Sequence, residues 1–583
     1  MRYGAGRVVL RRLVIAGLLA LVPASPASAQ GVRTLLMPGV SYTKQVEFTT
    51  HGPVAFHVLN APRPGGLYAL KPVLSNNAIL GRERVTSMQR TVSASATVAG
   101  VNGDLFAWAD GRPSGMLMRS GVLESAPHAD RSSVGIAGDG SLRVERIAYA
   151  GIWRGTGQRR PLRLNQPPAA NGVSIFTPSW GPATPAGAGV VEAVLAPFPP
   201  ATPNTDHFGT VVQVGETSGG TRIPPNGAVI VARGTGAARL AAEGPLGTNV
   251  FIRFALTPDW AGVADALGGG PVLVRSGKPV FRANEAFSVD QTGHRHPRSA
   301  VGQLANGRVI LVAVDGRQRG YSVGMTSFEL ALLMVRLGAV SASGLDGGGS
   351  TTMAFEGALL NRPSDLAGER AVAESLNVFY YGVYAPPPLV QVLSPNGDGV
   401  DESQRLEYKL VRPATVTASL VGPDGAERVL ESTRRDPGRY RLTWNGVRAD
   451  GAAEPEGRWR FTVTAADDQG QQSSTDRLFS LNKTLGALAV QPTVWVDRRG
   501  STMRATFTLA HPAVVRATVE RPSGAVVRTV LRRPFAEGPA SIGWDGRDTS
   551  RVVAYRGRYV LRLRATNELG TVDLTRPFGV RRR

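Results

Sequence analysis

Apolar positions follow two different patterns along the chain, and the change falls near residue 385. Before it, continuous apolar runs predominate. After it, short runs with apolar residues at every second position are separated by turn pairs such as Asp424-Gly425 and Asn445-Gly446. Continuous runs are typical of strands buried on both faces, whereas alternation is typical of half-buried strands. The pattern therefore predicts a mixed-sheet α/β domain followed by two all-β sandwiches.

One segment of the first part predicts a strand, a helix and a second strand in succession. Residues 308–314 have the composition of a buried strand, and Asp315 follows them. The Thr-Ser-Phe-Glu sequence at 326–329 has the spacing of a capping box and predicts a buried helix. Residues 340–345 form the second strand, which Asp346 follows. A parallel right-handed crossover would place both aspartates at one sheet edge, where α/β sheets bind ligands.

The chain divides at three consecutive prolines, which predict a semi-rigid spacer at 385–388. Residues 30–384 before it are expected to form one large domain, with the Pro- and Gly-rich stretch 150–225 as strands and loops decorating the core. After it, Trp444-Asn445-Gly446 recurs as Trp544-Asp545-Gly546. This repeat predicts two sandwiches, at 389–482 and 483–583, that resemble the Ig-like modules of the flagellar hook-capping protein.

The N-terminus has the three parts of a secretory signal peptide at 1–29. Four arginines precede a short apolar run at 13–22, and Ala27-Ser28-Ala29 supplies small residues for cleavage. The run is too short to cross a bilayer, and no later apolar stretch reaches the necessary length of about 18 residues. We therefore expect no transmembrane segment. The expected location is extracellular or cell-wall associated, or periplasmic in a cell with two membranes.

The composition excludes several classes of functional site and suggests an anionic partner. The chain has no cysteine, which excludes disulfides, thiol catalysis and cysteine-ligated metals. Its formal charge of +22 comes almost wholly from arginine. An anionic wall or capsule polysaccharide would suit this charge, although arginine-favouring codon usage would produce it too. The signal peptide and the lack of aromatic residues among the basic ones oppose nucleic-acid binding.

The start of the first predicted sandwich has the pattern of a calcium-binding turn. Oxygen-bearing side chains at Asn396, Asp398 and Asp401 alternate with glycines. An ordinary turn in which these side chains bind only backbone N–H groups is the alternative. The sequence indicates no other cofactor.

The loop after Asp346 is built to approach an anion. Gly347 to Gly349 let backbone N–H groups come close to a ligand, and Ser350 and Thr351 add hydroxyl groups. No lysine precedes Ser350, so the loop is not a Walker A motif. A flexible loop is the other interpretation. His294 and His296 have the spacing of two metal ligands on one strand face, or of a polar strand edge.

Four motifs in series resemble the phosphodiester glycosidase family. They are His296-Pro297-Arg298-Ser299-Ala300-Val301-Gly302, Asp315-Gly316-Arg317, Leu345-Asp346-Gly347-Gly348-Gly349-Ser350-Thr351-Thr352-Met353, and Asn361-Arg362-Pro363 followed by Gly368-Glu369-Arg370. The resemblance extends from about residue 96 to 383. The family includes N-acetylglucosamine-1-phosphodiester α-N-acetylglucosaminidases and bacterial exopolysaccharide-associated proteins.

The resemblance implies a secreted hydrolase that cleaves the glycosidic bond of sugar-1-phosphodiesters in wall or extracellular polysaccharide and releases free sugar and a phosphomonoester. It implies Asp346 as the principal catalytic carboxylate and Glu369 as the second. Asp315 would be a further catalytic residue or would orient an arginine. The residues implied to bind substrate or phosphate are Arg298, Arg370, Asn102, Gly348, Gly349, Ser350, Thr351 and His296.

Ser299 replaces a threonine that is common in the family and keeps the hydroxyl. Two larger departures are Asp104-Leu105, which replaces a common Gly-Phe pair, and Glu374-Ser375, which replaces a small apolar residue and Asn. Two other functions remain open. One is cleavage of the phosphorus–oxygen bond or transfer of the sugar phosphate during exopolysaccharide synthesis. The other is a non-catalytic cell-surface protein that binds glycans.

Overall fold

The computed structural model describes residues 31, 33–496 and 503–582. The predicted signal peptide at 1–29 lies outside the described residues. Strands predominate and helices are few. Within the described part of the chain, no helix has both the length and the apolar character needed to cross a bilayer.

The first unit contains four α-helices, two short 3₁₀ helices and twenty-eight strands in its described residues. The helices are α1 (Val85–Val92), α2 (Thr235–Glu243), α3 (Val289–Gly293) and α4 (Ser327–Arg336), with the 3₁₀ turns Ser75–Asn77 and Gly348–Ser350. The strands are β1 (Arg33–Met37), β2 (Val40–Thr49), β3 (Gly52–Ala61), β4 (Tyr68–Leu74), β5 (Glu83–Arg84), β6 (Thr97–Asn102), β7 (Leu117–Arg119), β8 (Val122–Ser125), β9 (Ser132–Ala137), β10 (Leu142–Arg146), β11 (Ala148–Arg154), β12 (Arg160–Pro161), β13 (Arg163–Leu164), β14 (Val173–Phe176), β15 (Val190–Leu195), β16 (Asp206–Thr217), β17 (Ala228–Arg233), β18 (Asn249–Thr257), β19 (Val263–Gly268), β20 (Val272–Arg275), β21 (Lys278–Pro279), β22 (Arg298–Leu304), β23 (Val309–Val314), β24 (Ala339–Gly344), β25 (Met353–Phe355), β26 (Ala358–Leu359), β27 (Ala371–Val372) and β28 (Glu374–Tyr380).

The remainder of the described chain is all β. The strands of the first sandwich are β29 (Val392–Leu393), β30 (Gln404–Leu410), β31 (Ala414–Val421), β32 (Glu427–Arg435), β33 (Gly438–Trp444), β34 (Gly457–Asp467) and β35 (Gln472–Leu481). Those of the second are β36 (Leu485–Val490), β37 (Thr493–Val496), β38 (Met503–Leu509), β39 (Ala513–Glu520), β40 (Val526–Phe535), β41 (Gly538–Trp544), β42 (Gly557–Asn567) and β43 (Gly570–Arg582).

Two sheets face each other at the centre of the first unit. One has the order β1-β2-β3-β23-β22-β24-β20-β21 and the other β26-β25-β6-β28-β4. Leu59 and Leu311 from the first sheet and Val101 and Val378 from the second belong to one buried cluster between them. Helix α4 packs on the outer face of the first sheet and α1 on the outer face of the second. The core is therefore a four-layer arrangement that is mostly β.

The predicted helix and its flanking strands are present. Thr326 caps α4 by accepting the N–H of Glu329, whose carboxylate accepts the N–H of Thr326 in return. Gly338 follows the helix with a φ of 90°, a left-handed conformation that suits glycine at a helix end. Strands β23 and β24 both run antiparallel to β22, so they are parallel to each other with β22 between them.

The α/β class is confirmed only in part. All neighbouring strands described in the two central sheets are antiparallel. For example, the two neighbours of β23, which are β22 and β3, both run in the opposite direction to it. Alternation between apolar and polar residues is weak in these strands because both sheet faces are covered. Burial on two faces thus gives an antiparallel sheet the composition of a parallel one.

An insertion of further strands packs beside this core. It has an eight-stranded sheet of order β12-β11-β18-β16-β15-β17-β14-β13 and a five-stranded sheet of order β10-β9-β19-β7-β8. Trp153, Ile175, Phe254 and Trp260 lie in the hydrophobic cluster that the two sheets enclose. The prediction that 150–225 supplies strands and loops to the core agrees with this sheet.

The two sandwiches repeat one another. The first pairs sheet β29-β35-β34-β31-β32 with the hairpin β30-β33, and the second pairs sheet β37-β43-β42-β39-β40 with sheet β36-β38-β41. Trp444 and Trp459 fill the first core, and Trp544 and Tyr559 take the corresponding places in the second. Their relation to Ig-like modules stays a prediction.

The segment before the prolines is anchored in the first sandwich. Val383 and Ala385 are buried in its hydrophobic cluster. Lys409 of β30 reaches back to the first unit, where its ammonium group donates to Glu356 Oε2 at 2.9 Å and to Ala96 O at 3.0 Å. Burial lowers the pKa of Lys409, although the carboxylate of Glu356 favours the charged form. The two units therefore share a buried ion pair.

Replacing Lys409 by Ala should destabilise the junction between these units. The change leaves Glu356 partly buried with only exposed Arg439 as an ion-pair partner. Removing one member of a buried pair typically costs about 3 kcal/mol or more. We expect differential scanning calorimetry to show a clear loss of melting temperature. Lys278→Ala, at an exposed position, should leave it unchanged, and equal behaviour of the two variants would contradict this account.

Candidate functional site

A polar cavity of about 150 Å³ opens at the edge of the first central sheet where β22 begins and β24 ends. Both chain segments after parallel strands β23 and β24 reach this edge, as the sequence predicted. The glycine loop after Asp346 forms one wall. The residues lining the cavity are Asp104, Leu105, Gly270, Pro271, Phe287, Asp290, Gln291, His296, Arg298, Arg317, Leu345, Asp346, Gly347, Gly348, Gly349 and Arg370.

Asn102, at the end of β6, holds the Asp346 segment in place. Its amide nitrogen donates to the carbonyl of Asp346 at 2.7 Å. Its amide oxygen accepts from the hydroxyl of Ser299 at 2.6 Å and from the N–H of Thr352 at 3.1 Å. The side chain is fully buried. The predicted substrate-binding role of Asn102 is therefore replaced by a scaffolding role beneath the cavity.

The carboxyl group of Asp346 has an unusual acidity. Loss of solvent raises its pKa to about 7, and the nearby charge of Asp104 raises it further. The nearby Ser350 hydroxyl and the N–H of Gly347, together with the charge of Arg370, lower this pKa. A carboxyl group with this pKa exchanges its proton near neutral pH, which is a property of catalytic acids and bases.

Arg370 is fixed beside Asp346 by two contacts. Its guanidinium donates to both carboxylate oxygens of Asp365, at 2.8 and 3.1 Å, and lies 5.1 Å from the ring centre of exposed Trp108. Gly349 allows this approach, since a Cβ there would lie 2.0 Å from an Arg370 nitrogen and 2.2 Å from Asp365. A larger residue at this position would therefore displace the Arg370 and Asp365 side chains from their observed places.

Arg298 lines the cavity, but its guanidinium donates hydrogen bonds mainly to backbone carbonyl groups of the protein. It donates from Nε to Met325 O and from Nη2 to His294 O, both at 2.8 Å, and from Nη1 to Gln291 O. Burial lowers its pKa to about 10, and the charge of Arg317 contributes. Arg298 therefore stays cationic at neutral pH and shapes the wall formed by residues 291–294.

Arg317, which motif reasoning did not select as a binding residue, supplies a third cation. It donates to His296 Nδ1, with Nη2 at 3.1 Å. His296 Nε2 in turn lies 3.3 Å from Asp290 Oδ1, and His294 Nδ1 lies 2.8 Å from the same oxygen. These three side chains are the described group of metal-type ligands that lies close enough to share an ion. Arg317 already binds the imidazole, so a metal on Nε2 would require the other tautomer of His296.

Two of the predicted catalytic carboxylates lie away from the cavity. Glu369 accepts from the N–H and hydroxyl of Thr86 at 2.9 and 2.6 Å, so it caps the start of α1. Asp315 is completely buried and binds His57 Nε2 at 3.0 Å and the Tyr321 hydroxyl at 2.9 Å. It also accepts from the N–H of Arg362. The hydrogen bonds of both residues assign them positioning roles, and the prediction of a second catalytic carboxylate at Glu369 is not supported.

The loop residues divide between the cavity wall and the layer beneath it. Gly348 lines the cavity with a φ of 63°, which explains the need for glycine there. Ser350 and Thr351 are buried beneath the wall. Ser350 lies close enough to Asp346 to lower the pKa of its carboxyl group, and the carbonyl of Thr351 accepts from Asn361. Only the glycines of the predicted loop therefore present atoms to the cavity.

The two larger departures from the family pattern meet at this site. Asp104 forms a buried ion pair with Arg131 at 3.2 Å, and its N–H donates to Glu374 Oε1 at 2.9 Å. Burial raises the pKa of Asp104 and raises that of Glu374 well above its ordinary value. The charges of Asp104 and Asp346 raise the Glu374 pKa further. Sequence reasoning noticed both residues but had no signal that a β6–β28 pairing would bring them together.

In the predicted calcium turn, side-chain oxygens accept hydrogen bonds from backbone N–H groups. Asp398 Oδ1 accepts the N–H of Val400 at 2.9 Å, and Asn396 Oδ1 accepts that of Asp398 at 3.2 Å. Glu402 Oε1 accepts three consecutive N–H groups, those of residues 397–399. Calcium binding by Asn396, Asp398 and Asp401 stays a prediction, and the geometry matches the alternative turn.

Comparison with known proteins gives a partial family match. Residues 204–379 match the family model described as phosphodiester glycosidase. The SPbeta prophage-derived uncharacterized protein YomE of Bacillus subtilis is 31% identical over 165 residues, which are 28% of this chain and 25% of that protein. N-acetylglucosamine-1-phosphodiester alpha-N-acetylglucosaminidase of Bos taurus is 32% identical over 111 residues, 17% of this chain and 20% of that protein. The chain thus spans a quarter or less of the length of these curated relatives.

A solved structure extends the similarity to the fold. The crystal structure of a hypothetical protein from Synechocystis aligns with a TM-score of 0.50 and 25% identity, covering 61% of this chain and 64% of that one. Together with the family match, it indicates a phosphodiester-glycosidase-like domain. Asp346, Arg298, Arg317 and Arg370 lie inside the matched residues, whereas Asp104 lies outside them.

Replacing Asp346 by Asn should stabilise the protein at pH 8 but not at pH 4. The native pKa of about 7 exceeds the ordinary value of 3.8, so the folded state disfavours the ionised carboxylate, and stability falls as pH rises through this interval. We expect a gain of up to about 4 kcal/mol at pH 8, the free energy that corresponds to raising this pKa from 3.8 to about 7. Thermal unfolding at both pH values would measure it. Asp436→Asn, at an exposed carboxyl group, should show no such difference.

Proposed function

We propose that this chain is a secreted phosphodiester glycosidase that hydrolyses the glycosidic bond of sugar-1-phosphodiesters. The observation that carries the proposal is the cavity in which Asp346 stands beside Arg298, Arg317 and Arg370, within the residues that match the family model. Water would supply the oxygen that remains on the sugar, and the bond from the anomeric carbon to the phosphate oxygen would break. The products are a free sugar and a phosphomonoester.

The residue types suit the two charges that develop in this reaction. The sugar becomes oxocarbenium-like, and a carboxylate stabilises it as nucleophile, base or counter-charge. Asp346 takes this role once it is ionised. The leaving phosphate gains negative charge and needs cations and N–H groups more than it needs an acid. Arg370, Arg317 and the glycine loop supply these contacts, since guanidinium groups bind phosphate in a bidentate manner.

The second carboxylate of the proposed site is Asp104. It lines the same cavity as Asp346 and is fixed by Arg131. Its negative charge keeps the pKa of Asp346 high, so it tunes the principal carboxylate. Glu369 and Asp315 support the loops from behind.

The proposal includes a division of labour along the chain. Residues 30–384 form the catalytic domain, 385–388 the spacer, and 389–482 and 483–583 two Ig-like modules that hold the enzyme near its polymer. Separate hydrophobic clusters in the two sandwiches support the division between these two modules. Export depends on the signal-peptide pattern at 1–29, and wall or extracellular polysaccharide is the proposed substrate source.

An isotope experiment tests the bond that is cleaved. The protein would be incubated with an N-acetylglucosamine-α-1-phosphodiester in ¹⁸O water, and products read by mass spectrometry and phosphorus NMR. We expect the label on the sugar, with turnover reduced at least about 1,000-fold in Asp346→Asn because the charge-stabilising carboxylate is lost.

Other outcomes of the same experiment assign other functions. Label on the phosphate would identify phosphorus–oxygen cleavage and reject the glycosidase mechanism. Absence of turnover across a panel of hexose-1-phosphodiesters, with retained binding of the diester, would favour a glycan-binding protein. Asp436→Asn serves as the matched control and should react like the unmodified protein.

The pH dependence of kcat/KM tests the role of Asp104. If Asp346 acts as the carboxylate, activity rises with pH through an apparent pKa of about 7. Asp104→Asn removes a negative charge that raises this pKa, so the rising limb should move to lower pH. Asp110→Asn removes the same charge from a more exposed ion pair with Arg112, away from the cavity, and should leave the limb in place. An unmoved limb in Asp104→Asn would exclude the tuning role.

A further inference from the structure

The outer face of the second sandwich carries a row of arginines across three adjacent strands. Arg516 of β39 pairs in register with Arg532 of β40 on one side and with Arg564 of β42 on the other. Arg564 pairs in turn with Asp573 of β43. We call the three arginines the arginine row. All three are exposed. Residues directly opposite each other on antiparallel strands project from the same face of the sheet, so the three side chains share one face.

The row is an arrangement that folding alone disfavours. Like charges directly opposite each other on neighbouring strands repel and lower stability. Arg564 is neutralised by a bidentate contact with Asp573 at 2.8 and 2.9 Å. Among the described residues, neither Arg516 nor Arg532 forms an ion pair. Two adjacent cations therefore remain available at the row.

The first sandwich shows that the fold does not require arginine here. At the corresponding positions, Thr417 pairs with Ser432 and Thr464, and Thr464 pairs with Ser474. The hydroxyl groups of Thr417 and Ser432 lie 3.3 Å apart. The same row in the same fold is thus neutral in one copy and cationic in the other.

We propose that the arginine row binds a linear polymer of phosphodiester-linked sugars or polyols. Adjacent strands lie about 4.8 Å apart, so the row presents guanidinium groups at a short regular interval along one direction. Each guanidinium matches a phosphate oxygen pair. The choice of a phosphodiester glycan rests on the proposed function, because the cavity in the same chain suits a sugar phosphodiester.

The surroundings of the row favour a polymer without bases. The positions that flank it on the same face are aliphatic, hydroxyl-bearing or charged. They include Val514, Thr566 and Arg562, together with the buried Thr518. No aromatic side chain among these neighbours offers a stacking surface, which single-stranded nucleic acids use for much of their affinity. Recognition here depends on the phosphates alone.

The binding test uses the full chain and poly(glycerol phosphate), a base-free phosphodiester polymer, at several salt concentrations. In Arg516→Thr/Arg532→Ser, which restores the residue types of the first sandwich, we expect affinity to fall about 10-fold at low salt. The slope of log affinity against log salt should decrease by about 1 to 1.5, because two phosphate contacts are lost. The matched control, Arg458→Ser/Arg460→Thr, removes the same charge from exposed positions of the first sandwich and should change little.

Four further results complete the test. The reciprocal variant Thr417→Arg/Ser432→Arg should gain affinity, which separates the row from any folding defect. Equal loss in the row variant and its control would reduce the effect to net charge and overturn the proposal. Tighter binding of oligo(dT) than of poly(glycerol phosphate) at equal phosphate number would overturn it in favour of nucleic acid. Hydrolysis of a small soluble sugar-1-phosphodiester reports on the cavity independently and should be unchanged in the row variant.

Discussion

The buried amide of Asn102 joins the segments that create the cavity. It binds the carbonyl of Asp346, the hydroxyl of Ser299 and the N–H of Thr352 at once. Those contacts tie β6 of one central sheet to the β22 and β24 edge of the other. Because a buried amide must satisfy its hydrogen bonds within the protein, the positions of these segments are mutually fixed. The orientation of the Asp346 carboxylate depends on this junction.

The charged side chains at the cavity form ion pairs that differ in how deeply they are buried. Asp104 with Arg131 and Arg370 with Asp365 are tied pairs, whereas Asp346 has no guanidinium bound to its carboxylate in the described structure. Its pKa is therefore set by lost solvent more than by a partner. The fold thus raises the pKa of one carboxyl group to near neutral pH and holds the surrounding arginines in place through their own contacts.

The two sandwiches are alike in their cores and differ in charge at their surfaces. Trp444 and Trp459 in one core correspond to Trp544 and Tyr559 in the other, so the apolar demands of the fold are preserved. Outward positions are free of that demand, and there the copies differ, with Thr417 in one and Arg516 in the other. The copies thus conserve aromatic core positions and differ in charge on the outward face.

The sequence by itself determined local features, because these depend on neighbours along the chain. The capping box at Thr326, the buried strand before Asp315, the repeat of the sandwiches and the glycine loop after Asp346 all follow from short-range patterns. Tertiary structure alone decided the antiparallel sheet, the capping role of Glu369 and the approach of Asp104 to Glu374. Each of these depends on strands distant in sequence, and two-sided burial removes the alternation that would reveal strand direction. Neither the sequence of β6 nor that of β28, taken alone, indicates that the two strands pair.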